Sequence, residues 1–164
     1  MSYSLIWHGM SFLGNSKLLI PLSLGIIFWL CRQRQRTSAW LVFIGFYGGT
    51  LLNNILKQLF KLPRPPDSPI GGYGFPSGHA MNAAIFYSLL ILLFAGKIKD
   101  RKSKYGFIAA NMLLIVLVGL ARIMLGVHYI SDVVGGLLIG LVWLAAVVWV
   151  MGRISRLSVA QRKN

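Results

Sequence analysis

Five apolar runs, at 18–31, 39–60, 80–96, 105–121 and 133–151, divide the chain, and each is near the length needed to cross about 30 Å of hydrocarbon. A soluble domain of 164 residues cannot bury so much apolar surface in one core, whereas lipid solvates it. Hydrophobic residues make up 56 % of the chain and charged residues 12 %, against roughly a quarter charged in soluble domains. The expected fold is therefore all-α: a polytopic transmembrane helix bundle of about five spans, built as a single domain over 1–164. The first run is the shortest, rising only about 21 Å as a helix, so it is expected to extend back past Lys17, whose stem can snorkel. Residues 2–13 mix Tyr3, Leu5, Ile6, Trp7, Phe12 and Leu13 with polar groups. That mixture favours an interfacial or short helix within an N-terminal segment 1–16. No cation precedes Lys17, so a cleavable secretory signal with a basic start is not expected.

The net charge of +14 could point to nucleic acid, but the placement of the cations argues for topology. Arg32, Arg34 and Arg36, then five cations between Lys97 and Lys104, then Arg153, Arg156, Arg162 and Lys163 in a basic tail at 152–164, all fall on one side of the five spans. The positive-inside bias makes that side cytoplasmic, with nucleic acid a poor second reading. Lys17, Lys57, Lys61, Arg64 and Arg122 fall on the other side. A single cysteine, Cys31, excludes a disulfide framework within the chain. Gly45 with Gly49 and Gly136 with Gly140 have the four-residue spacing that lets helices approach closely. Asn53, Asn54 and Asn111 read as buried amides bonding between helices, with no chemistry assigned.

Two connectors, 61–79 and 122–132, are separated by two crossings and so return to the same outward face. Lys57 lies one turn before the end of its run, and Pro63 and Pro65 hold Arg64 on a stiff, extended segment. One such cation would be an ordinary interfacial anchor; the pair, a compact charge and a planar fork, suits phosphate oxygens. Gly71 to His79 reads Gly-Gly-Tyr-Gly-Phe-Pro-Ser-Gly-His ahead of an apolar run. Ser77 is a natural helix N-cap and Gly78 allows close approach to unpaired backbone N–H groups, a combination that binds anions. His79 follows in the first turn. His128 and Asp132, four residues apart, stack on one face if that stretch is helical, so the carboxylate can fix the ring tautomer and free the other nitrogen for attack. Metal ligation by the histidines and an aspartate is the competing reading. Against it stand Lys57, Arg64 and Arg122, since each cation about 4 Å from an anion is worth on the order of 4 kcal/mol at an effective dielectric near 20, before desolvation.

Lys57-x6-Arg64-Pro65, Pro76-Ser77-Gly78-His79 and Arg122-x5-His128-x3-Asp132 together resemble the three signature motifs of the type 2 phosphatidic acid phosphatase superfamily, in order and in spacing. One departure is Ala121, where the family commonly has serine. The resemblance implies that His128 is the nucleophile taking the phosphoryl group and that Asp132 orients it. It implies that His79 protonates the leaving oxygen, and that Lys57, Arg64, Ser77, Gly78 and Arg122 hold the phosphate oxygens. It further implies no metal or organic cofactor, a membrane lipid phosphate as substrate, and a bell-shaped pH profile carried by the two histidines. Lipid A 1-phosphate, undecaprenyl diphosphate and phosphatidylglycerophosphate are the candidate substrates, the first two slightly preferred. The alternatives are a lipid phosphotransferase of the same family and a non-enzymatic anion-binding membrane protein. The expected location is the cell (inner) membrane, with the site facing the periplasm or outside and the C-terminus cytoplasmic.

Overall fold

The computed structural model describes the backbone of residues 2–161 and the side chains of residues 4–153. Among these residues it holds helices and no strands. The helices are α1 (Ser2–Phe12), α2 (Ser16–Arg32), α3 (Arg36–Val42), α4 (Gly49–Phe60), α5 (Gly78–Phe94), α6 (Arg101–Met124) and α7 (Ile130–Gln161). A π-helical stretch, Phe43–Gly48, fuses α3 and α4 into one span, Arg36–Phe60. Five helical stretches are long and apolar enough to cross a membrane, as the apolar runs require. The first of them, Ser4–Arg32, takes in most of α1 with α2, and α2 itself extends back through Lys17 to an Asn15 cap, whose side chain accepts from the Lys17 backbone N–H. Helix α1 is separate and, at 11 residues, only about 16 Å long, too short to span. It lies against α6. The last helix runs past its span into the expected basic tail; Arg153 is described there, while the side chains of Arg156, Arg162 and Lys163 lie outside the described residues.

Helix α5 is the central element, buried at every position from Ala80 to Tyr87 and surrounded by α2, α4, α6 and α7. A helix apolar on all sides belongs in the middle of a bundle, and this one is. Its neighbours turn Leu51, Leu59, Val116, Val142 and Trp149 outward. Lipid is as apolar as those side chains, so association between helices rests on close packing. The small-residue pairs supply it within the chain. A Cβ on Gly136 would lie 2.6 Å from the Ser77 carbonyl oxygen, one on Gly140 would lie 3.0 Å from that of Met81, and one on Gly49 would collide with Ile85. Helix α7 is thereby pressed onto the start of α5. The wider turn at Phe43–Gly48 leaves carbonyls to satisfy, and Trp143 Nε1 donates to Gly45 O at 2.9 Å while Thr50 Oγ1 donates to Phe46 O at 3.0 Å.

The end of α4, the start of α5, the end of α6 and the start of α7 share one end of the bundle, with the turn between α1 and α2. The connectors bearing Arg32, Arg34, Arg36 and Lys97 to Lys104 occupy the other. Aromatic rings stand beside the cations there: Lys97 lies 5.1 Å from the Trp29 ring centre and 5.3 Å from that of Phe94, and Arg153 lies 5.2 Å from that of Trp149. Of the three amides expected between helices, Asn53 is buried and donates to Pro76 O at 3.3 Å. Asn54 is exposed, and Asn111 bonds back to Phe107 O within its own helix at 2.8 Å. Helical periodicity explains the split: Asn54 stands 100° around α4 from Asn53, on the lipid side.

Candidate active site

His128 lies in the short connector before α7 and is not helical, so helical stacking does not bring it to Asp132. The contact is made by capping. Asp132, the third residue of α7, turns back so that Oδ2 accepts from the Tyr129 backbone N–H at 3.1 Å, half of a capping box. The same oxygen sits 3.2 Å from His128 Nδ1. On the far side of the ring, Arg64 Nη1 is 3.0 Å from Nε2. A guanidinium can only donate, so Nε2 carries the lone pair and the proton is on Nδ1, facing the carboxylate. Burial first, then the charges of Arg64, Arg122 and Lys57, push the His128 pKa down to about 3. The ring is therefore neutral, with its lone-pair nitrogen directed at a cation.

Arg64 is held where the prolines predicted, on a segment without regular structure. Its Nη1 also donates to Val127 O at 2.9 Å, and its Nε to Gly71 O at 3.2 Å, which tie the two outer connectors together. Burial lowers its pKa below the ordinary guanidinium value, an effect opposed by the nearby Asp132 charge. Lys57 Nζ donates to Tyr73 O at 2.9 Å and Gly74 O at 3.1 Å. Gly74 is in close contact on both sides: a Cβ there would lie 2.9 Å from Asp132 Oδ2 and 2.9 Å from Pro63 O.

Ser77 occupies the N-cap position of α5, as expected, but its hydroxyl makes no capping bond. Its backbone N–H donates to Asp132 O at 2.9 Å, which draws α7 against α5, and its Oγ is fully buried without a partner. Gly78 follows, where a Cβ would stand 3.1 Å from Asn53 Oδ1. Half-buried His79 comes next. Arg122, 5 % exposed, donates from Nη1 to Ser11 Oγ at 2.6 Å, and its Nε has no partner. The charges of Lys57, Arg64 and Arg122 act on both histidines, and His79 acts on His128. Among the described residues the only ion pair is His128 with Asp132, leaving these three cations without a carboxylate of their own. A buried cation lacking a countercharge, beside an orphaned hydroxyl and an orphaned guanidinium N–H, is a site prepared for an oxyanion.

The structure thus brings Lys57, Arg64, Ser77, Gly78, His79, Arg122, His128 and Asp132 to one end of the bundle. Sequence reasoning missed Ser11, which has no motif and is 111 residues from Arg122. It also missed the part Asn53 plays beneath Gly78, for which the one available signal was an amide in an otherwise apolar helix.

A helical bundle with membrane-length spans, carrying at one end a histidine bonded to a carboxylate among three cations, has the architecture of a polytopic membrane protein. Residues 38–156 match the PAP2 superfamily. Phosphatidylglycerophosphatase B of Bacillus subtilis is 34 % identical over 141 residues, covering 83 % of this chain and 69 % of that protein. A lipid A 1-phosphatase of Rhizobium johnstonii is 33 % identical over 116 residues, or 63 % of this chain, which spans 43 % of that longer protein. The crystal structure of a transmembrane PAP2-type phosphatidylglycerolphosphate phosphatase from Bacillus subtilis superimposes with a TM-score of 0.83 at 31 % identity, covering 93 % of this chain and 78 % of that one. Aquifex aeolicus LpxE shares the fold, with a TM-score of 0.69 at 24 % identity, over 89 % of this chain and 85 % of that one. The chain belongs to the PAP2 superfamily and is a membrane phosphatase of that family.

Proposed function

We propose that this protein hydrolyses a phosphate from a membrane lipid, at the outer face of the cell membrane and without a metal, through a phosphohistidine on His128. The observation that carries the reading is the His128 ring held between Asp132 at Nδ1 and Arg64 at Nε2. Substrate phosphate displaces Arg64 from the lone pair, and the guanidinium moves onto the phosphate oxygens. His79 takes up a proton as the anionic phosphate binds beside it; the Nε2 lone pair then attacks phosphorus, the bond to the lipid oxygen breaks, and His79 delivers that proton to the leaving oxygen. Positive charge then develops on the His128 ring, where Asp132 stabilises it. Water, activated by His79, next cleaves the phosphorus–nitrogen bond and regenerates both rings. Lys57, Arg64, Arg122, the Ser77 hydroxyl and the backbone N–H groups at Gly78 hold the equatorial oxygens throughout.

Three cations at the site oppose a divalent ion there, which supports metal independence. The cation-rich connectors lie at the opposite end of the bundle, so the positive-inside bias supports a site facing outward. Phosphatidylglycerophosphate replaces the lipid A and undecaprenyl substrates as the favoured choice. A Bacillus relative named for it aligns over 83 % of this chain, and a solved structure named for it covers 93 %.

The test is inorganic phosphate release by detergent-purified protein in EDTA, against phosphatidylglycerophosphate, lipid A and undecaprenyl diphosphate, with His128→Ala as the control. Release from phosphatidylglycerophosphate, abolished in H128A, is expected. Turnover that needs added divalent metal, or that survives in H128A, sinks the proposal.

A further inference from the structure

We infer that Ser11, in the N-terminal helix outside the matched family region, is a positioning residue that aims the Arg122 guanidinium at the transferring phosphoryl group; this rests on the phosphatase reading above. Both residues are 5 % exposed, and their 2.6 Å contact is the one hydrogen bond of the Arg122 side chain among the described residues. Arg122 has no carboxylate, its Nε is orphaned, and the preceding residue, Ala121, has no hydroxyl to offer. Ser11 is therefore the one hydrogen-bond partner among the described residues that orients the fork.

The serine is itself fixed. Tyr87 Oη donates to Leu13 O at 2.9 Å, and Asn82 Nδ2 donates to Ser16 Oγ at 2.9 Å, so α5 grips the turn on both sides of Gly14. A Cβ on Gly14 would lie 2.9 Å from the His79 carbonyl oxygen, which places this turn directly behind the histidine. Leu5, Ile6 and Phe12 remain exposed on the rest of α1. The helix thus has an apolar side for lipid while its last turn completes the site. The segment 2–13, expected as an interfacial or short helix, thus meets the pocket through Ser11 in its last turn.

The experiment compares Ser11→Ala and Ser11→Thr with wild type in the full-length protein. It reads kcat and KM with phosphatidylglycerophosphate, and the apparent Kd of orthovanadate from its stabilisation against thermal unfolding. An oriented bond to a charged group makes kcat fall and the vanadate Kd rise about ten- to a hundredfold in S11A, with KM changed less than about threefold. S11T, which keeps the hydroxyl, should stay within about threefold of wild type in both. Ser11→Cys, similar in size with a poor acceptor, repeats the comparison if S11A does not fold. Wild-type values in S11A, or equal losses in S11A and S11T, overturn the inference. If wild type releases no phosphate, the phosphatase reading falls while the vanadate comparison still decides on Ser11. Vanadate that fails to stabilise wild type overturns the anion role of Arg122 and the inference with it.

Discussion

Replacing Asp132 by Asn probes the proposed nucleophile most directly, because it keeps the volume and removes the charge. In the structure the carboxylate oxygen lies 3.2 Å from His128 Nδ1 and also accepts the Tyr129 N–H at 3.1 Å. At an effective dielectric near 20, a unit charge 3.2 Å from the cation developing on the ring is worth at most about 5 kcal/mol, or between three and four decades in rate. An Asn at this position keeps its carbonyl oxygen on Nδ1, because the same atom must also accept the Tyr129 N–H, so the tautomer is preserved and the charge alone is lost. D132N is expected to lower kcat by about 10³- to 10⁴-fold with little change in KM. Single-turnover phosphate release from phosphatidylglycerophosphate in mixed micelles measures it, with acid-labile, base-stable phosphoprotein as a second readout. A D132N enzyme within about tenfold of wild type would refute the reasoning, since the carboxylate charge could then not matter.

Two further outcomes follow from the same geometry. The His128 pKa is held at about 3, below the ordinary 6.5, so the unprotonated ring persists in the free enzyme as pH falls through 6 and 5. The acid limb of kcat/KM is therefore expected well below pH 6, so the acid side of the bell does not report an ordinary imidazole. Removing the Arg64 charge, the second cause of the depression after burial, should move that limb upward; a limb near pH 6.5 in wild type would contradict the assignment. Ser77→Ala deletes a fully buried hydroxyl that has no partner. It should leave the melting temperature unchanged or higher, while kcat/KM falls about ten- to a hundredfold for one lost bond to a charged phosphate. A lower melting temperature with full activity would assign the hydroxyl to structure instead.

The apolar runs by themselves determined the spans, because hydrocarbon thickness sets helix length and lipid tolerates no other unclosed backbone. The parity of those spans likewise determined that Lys57, Arg64, Ser77, Gly78, His79, Arg122, His128 and Asp132 share one end, since two crossings return the chain to the same face. Their spacing carried the family resemblance. Contacts were another matter. His128 meets Asp132 through a reversed cap and not along a helix, and Ser77 leaves its N-cap duty undone so that its hydroxyl stays open. Ser11 reaches Arg122 across 111 residues only because Tyr87, Asn82 and a side-chain-free Gly14 seat the first turn against α5. Local patterns report how a segment meets solvent or lipid. Which polar group completes another's hydrogen bonds depends on how the helices pack, and that was decided only when α1, α6 and α7 closed around the central helix.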